Sequence, residues 1–313
     1  MGKDVWFGVH VPPEGRDFRE MQRICQLVEE NGFDLFTVTD HFMNMRNPTG
    51  SGNHPLECWT TLAGLAAVTH RIKLAPLVSC YGYRRPTVLA KMATTVDIIS
   101  NGRLVFGIGG GWHEAEFTGF MGRFPPARER LRGLRETVAI CTRMFTQERT
   151  TYHGSLYRVD NVLNAPPPVQ QPIPIMVGGG GEKVTLKIAA EYADISHFFV
   201  ESVDALVHKL GVLEAHCQTV GRKYHEIRTG TSMDLLVGAT LAEAERKLAQ
   251  RADAVGATRA AVRTRLGAGF GTPDMVTEAI REYIDRGLGL ITFRFTGDDS
   301  IALFGDQILP RFR

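Results

Sequence analysis

Cysteine is scarce, and its five copies, Cys25, Cys58, Cys80, Cys141 and Cys217, form no C-x-x-C pair. That spacing excludes a disulfide framework and a structural zinc site, and it fits a reducing cytoplasm. No hydrophobic run reaches membrane length, and Lys3 and Asp4 lead straight into a strand-like stretch without an apolar signal core. Gly2 lacks the Ser or Thr that myristoylation requires, that position being Trp6. Neither sign of charge dominates: 36 basic and 34 acidic residues leave a formal charge of +2. The densest basic run, Arg123–Arg135, is broken by Glu129 and followed by Glu136, the pattern of a solvated helix face. A soluble, cytoplasmic protein is expected, without a nucleic-acid or membrane partner.

What the chain does have is glycine in one place. Pro166–Lys183, PPPVQQPIPIMVGGGGEK, carries an apolar run, Ile173, Ile175, Met176 and Val177, into four glycines, Gly178, Gly179, Gly180 and Gly181. The run reads as a parallel strand covered on both faces, with Pro172 and Pro174 limiting its start. Val184, Ile188 and Tyr192 then recur at helical spacing, so a helix is expected from Glu182. Glycines between a strand and a helix N-terminus let backbone N–H groups approach an anion closely. The plainer alternative is a tight turn without a ligand. A dinucleotide fingerprint is excluded, because counting G-x-G-x-x-G from Gly178 ends on Lys183 and Asp194 opens the next strand rather than closing it. A nucleoside triphosphate loop is excluded because Lys183 is followed by Val184.

The remainder alternates strand and helix. Strands are expected at Val5–Val11, Leu35–Asp40, Ile72–Cys80, Arg103–Gly109, Ile173–Gly178, Ile195–Val200, Thr229–Val237 and Leu290–Phe295. Helices fall between them. Phe18, Met21, Cys25 and Val28 mark one face, and Val88, Leu89, Met92, Val96 and Ile99 mark another after Pro86. Thr240 reads as an N-cap, and Thr272-Pro273 starts a helix with Val276, Ile280 and Ile284 inward. Eight strand-then-helix units predict an α/β fold, a single (β/α)₈ TIM barrel over 1–313. Insertions follow strands two (Met43–Asn53) and four (Trp112–Pro126), and a hairpin-like excursion, Thr146–Pro172, precedes strand five.

In such a barrel the chemistry lies at the C-terminal strand tips. These carry His10, Asp40-His41, Ser79-Cys80, Gly109-Gly110-Gly111-Trp112, the four glycines, and His197-Phe198-Phe199. No tip bears the lysine of a Schiff-base enzyme, and His113-Glu114 lacks the second histidine of a zinc helix, so no metal is expected. Asp40-His41 is either a catalytic pair or a capping pair with a packed histidine. Trp112 is either a pocket wall or cover for the barrel end, and Phe198 and Phe199 are core or cofactor box. Glu114 and Glu116 follow the strand-four glycines, where Glu114 faces either substrate or solvent.

Thr39-Asp40-His41-Phe42, Asn101-Gly102-Arg103-Leu104, the strand-four run ending in Trp112, and Val177-Gly178-Gly179-Gly180-Gly181-Glu182-Lys183 together resemble the bacterial luciferase-like superfamily over nearly the whole chain. Within it they are similar to the branch of oxidoreductases dependent on the deazaflavin coenzyme F420. The resemblance implies the tricyclic cofactor in the barrel mouth with its phosphate at Gly178–Gly181. It implies His41 and Asp40 as catalytic residues beside the reactive ring, and Asp40, Gly109, Gly110, Trp112 and Val177 among the residues around the cofactor. It also implies a wall at the end of strand three, at Leu77 and Val78, where relatives carry a non-prolyl cis peptide, and a homodimer. The implied activity is hydride transfer between F420 and a small organic substrate. An FMN-dependent monooxygenase of the same superfamily and a non-catalytic flavin-binding protein are the alternatives. Relatives that oxidise sugar phosphates have glutamate directly after the strand-four glycines and tryptophan four residues after the Asp-His dipeptide, where this chain has Trp112 and Met45.

Overall fold

The computed structural model describes residues 5–45, 47, 50 and 52–313. The expected insertion Met43–Asn53 lies partly outside these residues, and Gly2, Lys3 and Asp4 lie wholly outside them. Twelve strands occur among the described residues: β1 (Trp6–His10), β2 (Leu35–Val38), β3 (Lys73–Pro76), β4 (Ser79–Cys80), β5 (Phe106–Gly109), β6 (Arg149–His153), β7 (Arg158–Leu163), β8 (Ile175–Gly178), β9 (Ile195–His197), β10 (Arg228–Val237), β11 (Phe270–Gly271) and β12 (Leu290–Phe295). The main sheet runs β3-β2-β1-β12-β10-β9-β8-β5-β4, and its neighbours pair in parallel. A parallel bridge between Leu74 and Leu104 joins β3 to the approach of β5 and closes the ring. With β3 and β4 as one interrupted stave, the result is an eight-stave (β/α)₈ barrel, as the alternation predicts.

The helices follow from capped, one-sided segments. In α1 (Phe18–Glu30), Asp17 caps the first turn by accepting from the Glu20 N–H at 2.8 Å, and Met21, Ile24, Cys25 and Val28 are buried. Next come α2 (Cys58–Val68), α3 (Pro86–Ile99), α4 (Glu114–Met121), α5 (Ala127–Thr146), α6 (Thr185–Tyr192), α7 (Val203–Val220), α8 (Leu241–Val255), α9 (Arg259–Leu266), α10 (Pro273–Asp285) and α11 (Asp298–Gln307). Helix α3 departs from the expected face: Leu89, Ala90, Ala93 and Val96 pack inward, which turns Val88 and Ile99 to solvent. The β6–β7 hairpin is the excursion before strand five, and α4 is the insertion after strand four. The two-residue β11, paired to the end of β10, had no periodic signal.

Two layers of core result. A large cluster lies between strands and helices, and a smaller one, Leu35, Ala75, Val105, Met176, Ile195 and Leu290, draws on the staves alone and fills the lower barrel. Above it the inward residues turn polar. His10 Nδ1 lies 2.9 Å from Thr37 Oγ1, and His197 Nε2 lies 3.2 Å from Thr292 Oγ1. Burial, with Arg294 nearby, pushes His10 down to about 3, and burial pushes His197 down to about 4. Both imidazoles are therefore neutral at physiological pH and floor the barrel mouth.

Candidate active site

A cavity of about 570 Å³ opens at the C-terminal end of the staves, lined by residues at the tips of seven of the eight. Strand β2 stops at Val38, so Asp40 and His41 stand in a tip loop and are free to diverge. Asp40 is buried. Its carboxylate accepts from Ser79 Oγ at 2.7 Å, the Cys80 N–H at 3.1 Å, and both terminal nitrogens of Arg84 at 2.7 and 2.9 Å. It therefore ties the β2 tip to the β4 segment. His41 turns the other way, its Nδ1 2.8 Å from Glu116 Oε2.

Glu116, named by sequence beside Glu114 but given no role, organises this corner. Its side chain is fully buried, and it accepts from the N–H groups of Phe42 and Met43 at 2.6 and 2.9 Å and from the Tyr83 hydroxyl at 2.5 Å. Burial alone would raise its carboxyl, but the hydrogen bonds from His41, Tyr83 and the Met43 N–H outweigh it and hold Glu116 down to about 2. The same contact, added to burial, pushes the Tyr83 hydroxyl up. An ionised Glu116 accepts only, so His41 carries its proton on Nδ1 and leaves Nε2 for the cavity. The sequence held a trace of this: His113 caps α4 by accepting from the Glu116 N–H at 3.4 Å, the N-cap-to-N3 spacing of a capping box. Glu114, the other glutamate after the glycines, is solvent-exposed.

The wall against the glycines comes from strand three. Leu77–Val78 is a cis peptide, as the resemblance implies, and it separates β3 from β4 where one continuous strand was expected. Leu77 and Val78 line the cavity, with Val78 pressed between β5 and β8. A Cβ on Gly109 or Gly178 would come within 2.7 Å of its methyls, so both positions must be glycine for the wall to close. Gly109, Gly110 and Gly111 pass along the cavity to Trp112, which is 62% exposed and meets His41 edge-on at 5.7 Å. Phe199 is 66% exposed on the far rim, whereas Phe198 is buried, so the two phenylalanines part company. Strand six ends at His197, short of the expected Val200.

Gly178 and Gly179 line the cavity, and Val177 is buried in the outer core. Gly179 has φ +123° and donates to the His197 carbonyl at 2.9 Å. Helix α6 begins at Thr185 rather than Glu182, which leaves Val184 half-open to solvent instead of on the apolar face. The extra residues form a looser turn. Among the described residues the N–H groups of Gly180 and Gly181 have no partner, and Lys209 of α7 braces the turn by donating to the Gly180 carbonyl at 2.9 Å and to Glu182 at 2.5 Å. His216 Nε2, 2.7 Å from the Glu182 carbonyl, adds a second brace. Because C=O and N–H point oppositely across a trans peptide, pulling the Gly180 carbonyl toward α7 turns the Gly181 N–H the other way. No group of three His, Cys, Asp or Glu suited to a metal occurs among the described residues. None of their helices is long and apolar enough to cross a membrane.

Comparison with known proteins agrees with this architecture. The chain is 28% identical to an F420-dependent glucose-6-phosphate dehydrogenase of Nakamurella multipartita, over 99% of this chain and 97% of that one. It is 27% identical to one of Nocardia farcinica, over 99% and 98%. Among solved structures, an F420-dependent secondary alcohol dehydrogenase bound to an F420–acetone adduct superposes with a TM-score of 0.83 at 15% identity, covering 99% of each chain. An EDTA monooxygenase of Chelativorans sp. BNC1 superposes at 0.85 and 16% identity, over 99% and 93%, and at such identities the likeness is one of fold. The luciferase-like monooxygenase family matches residues 5–289, and the chain belongs to that family.

Proposed function

We propose that the protein is an oxidoreductase that holds coenzyme F420 in the barrel mouth and acts on a small organic substrate. The observation that carries this reading is the His41–Glu116 pair: a buried, ionised carboxylate that fixes one imidazole nitrogen and presents the other to the cavity. The near full-length relatives named as F420-dependent support the choice of cofactor. The residues fit the group. A flat ring system finds a wall at Leu77 and Val78 and closely approaching glycines at Gly109, Gly110 and Gly178. The unpartnered N–H groups of Gly180 and Gly181 would hold its phosphate, and a cavity of about 570 Å³ is of ligand size.

When bound, F420 supplies hydride transfer at C5 of its ring. The chain supplies the rest. His41 Nε2 accepts or returns the proton that accompanies hydride transfer, with Glu116 stabilising the imidazolium that forms. Asp40 acts through the scaffold, holding Cys80 and Arg84 so that the Val78 wall keeps its place. Trp112 and Met45, standing where sugar-phosphate oxidising relatives have glutamate and tryptophan, give the reacting end of the substrate an apolar surround, so glucose 6-phosphate itself is disfavoured. A flavin-binding protein without catalysis has no use for a histidine locked on a buried carboxylate. The homodimer implied by the resemblance is checked by sedimentation.

Anaerobic titration of the purified protein with oxidised F420 and with FMN tests the reading. Saturable binding of F420 and slow loss of reduced cofactor in air are expected. Tight FMN binding with rapid peroxide release from the reduced complex would replace it with a monooxygenase.

A further inference from the structure

The space beside His41 does not end at the barrel axis. Beyond His10 and Arg294, which line both spaces, a second cavity of about 540 Å³ opens between the tips of β1, β10 and β12 and the helices α8 and α9. Arginine sets its character. The Asp234 side chain, only 12% exposed, accepts from Arg265 Nε at 2.9 Å on one oxygen and from Arg294 Nε on the other. The terminal amino groups of both arginines have no hydrogen-bond partner among the described residues. Two guanidinium groups are thus anchored by one carboxylate, with free donors and one positive charge in excess. The other acids lining the cavity are already matched: Glu20 lies 3.5 Å from Arg16, and Asp298 lies 2.5 Å from Arg23. A planar guanidinium fork fits a carboxylate or phosphate better than any other ligand group.

We propose that this lobe binds a carboxylate or phosphate group of the substrate through the free guanidinium edges of Arg265 and Arg294, so that a carbon of the same molecule reaches past His10 to the ring and His41. The substrate is then an organic anion with an apolar reacting end. The inference rests on the F420 reading for what lies in the mouth, but the anion site itself does not. The cofactor's own anions are the competing source. They are disfavoured by position, because the turn that follows β8 stands three staves from β12 in a ring of eight, nearly across the mouth.

Inorganic phosphate is the probe. In calorimetric titration of protein saturated with oxidised F420 the glycine turn is filled, so phosphate reads the lobe. Saturable binding is expected, weakened ~10-fold in Arg265→Gln and further in the Arg265→Gln/Arg294→Gln double variant. Arg265 has a side chain 58% exposed, so its variant keeps the fold. Phosphate heats that are absent, or unchanged in both variants, overturn the proposal. Displacement of phosphate by F420 with a long glutamate tail, but not by the one-glutamate form, assigns the lobe to the cofactor and overturns the substrate assignment. If F420 does not bind at all, the cofactor reading fails separately. The lobe is then read by the same phosphate titration in Gly179→Val, whose turn no longer takes an anion.

Discussion

Two side chains far apart in sequence, His41 and Glu116, do different work in this site. His41 faces the cavity, and His41→Ala is expected to keep F420 affinity within a few-fold while lowering turnover by ~10²–10⁴. Single-turnover absorbance beside a binding titration measures both, and full turnover would assign His41 to packing. Glu116→Gln is the subtler change. A glutamine still accepts from the Phe42 and Met43 N–H groups, but its amide N–H₂ toward His41 favours the other tautomer, with the proton on Nε2. Turnover should fall ~10–100-fold with cofactor affinity kept, as for other supporting partners of a reactive histidine. A pH–rate profile that keeps the wild-type shape would show that Glu116 only shapes the loop. His41 was legible because Asp-His sits at a predicted strand tip. Glu116 was barely legible, because its partners are 73 to 75 positions away and only its capping spacing from His113 distinguishes it from Glu114.

At the level of elements, the staves were readable and their ends were not. Strand-like stretches between helical patterns announced all eight, most plainly the continuous apolar run before the glycines, as expected of a parallel strand buried on both faces. The break in strand three, the early end of β2 and the late start of α6 depend on backbone geometry that periodicity does not encode. The glycine turn shows what this costs. All four glycines look equivalent in sequence, but only Gly179 adopts a positive φ, and a Cβ on Gly180 would meet nothing closer than 3.6 Å. Gly179→Val should therefore abolish cofactor binding in a folded barrel, whereas Gly180→Ala should retain it within a few-fold. Equal loss in both would mean that the turn is needed only as a whole. Circular dichroism run beside the titration separates lost binding from lost fold.

For the molecule as a whole, the polar floor of the mouth makes stability depend on pH. His10 and His197 fall from 6.5 in the unfolded chain to about 3 and about 4 when folded, so the unfolded state binds more protons below pH 6.5. Their contribution is fully present above 6.5 and is lost as pH falls. Glu116, lowered from 4.5 to about 2, adds its own loss only below 4.5. Between pH 6.5 and 4.5 the histidines therefore act without it, each removing up to ~1.4 kcal/mol per pH unit. Urea midpoints should decline over that window and flatten in His10→Gln/His197→Gln, and an unchanged slope would place the acid sensitivity elsewhere. The exposed indole at the rim has a different consequence. Of three tryptophans, Trp6 lies at the barrel floor beneath Lys73 and Arg228, Trp59 is sealed behind the strands, and Trp112 alone stands over the mouth. Its emission is an optical gauge of occupancy, because a chromophore entering the mouth meets this indole directly and dims it most.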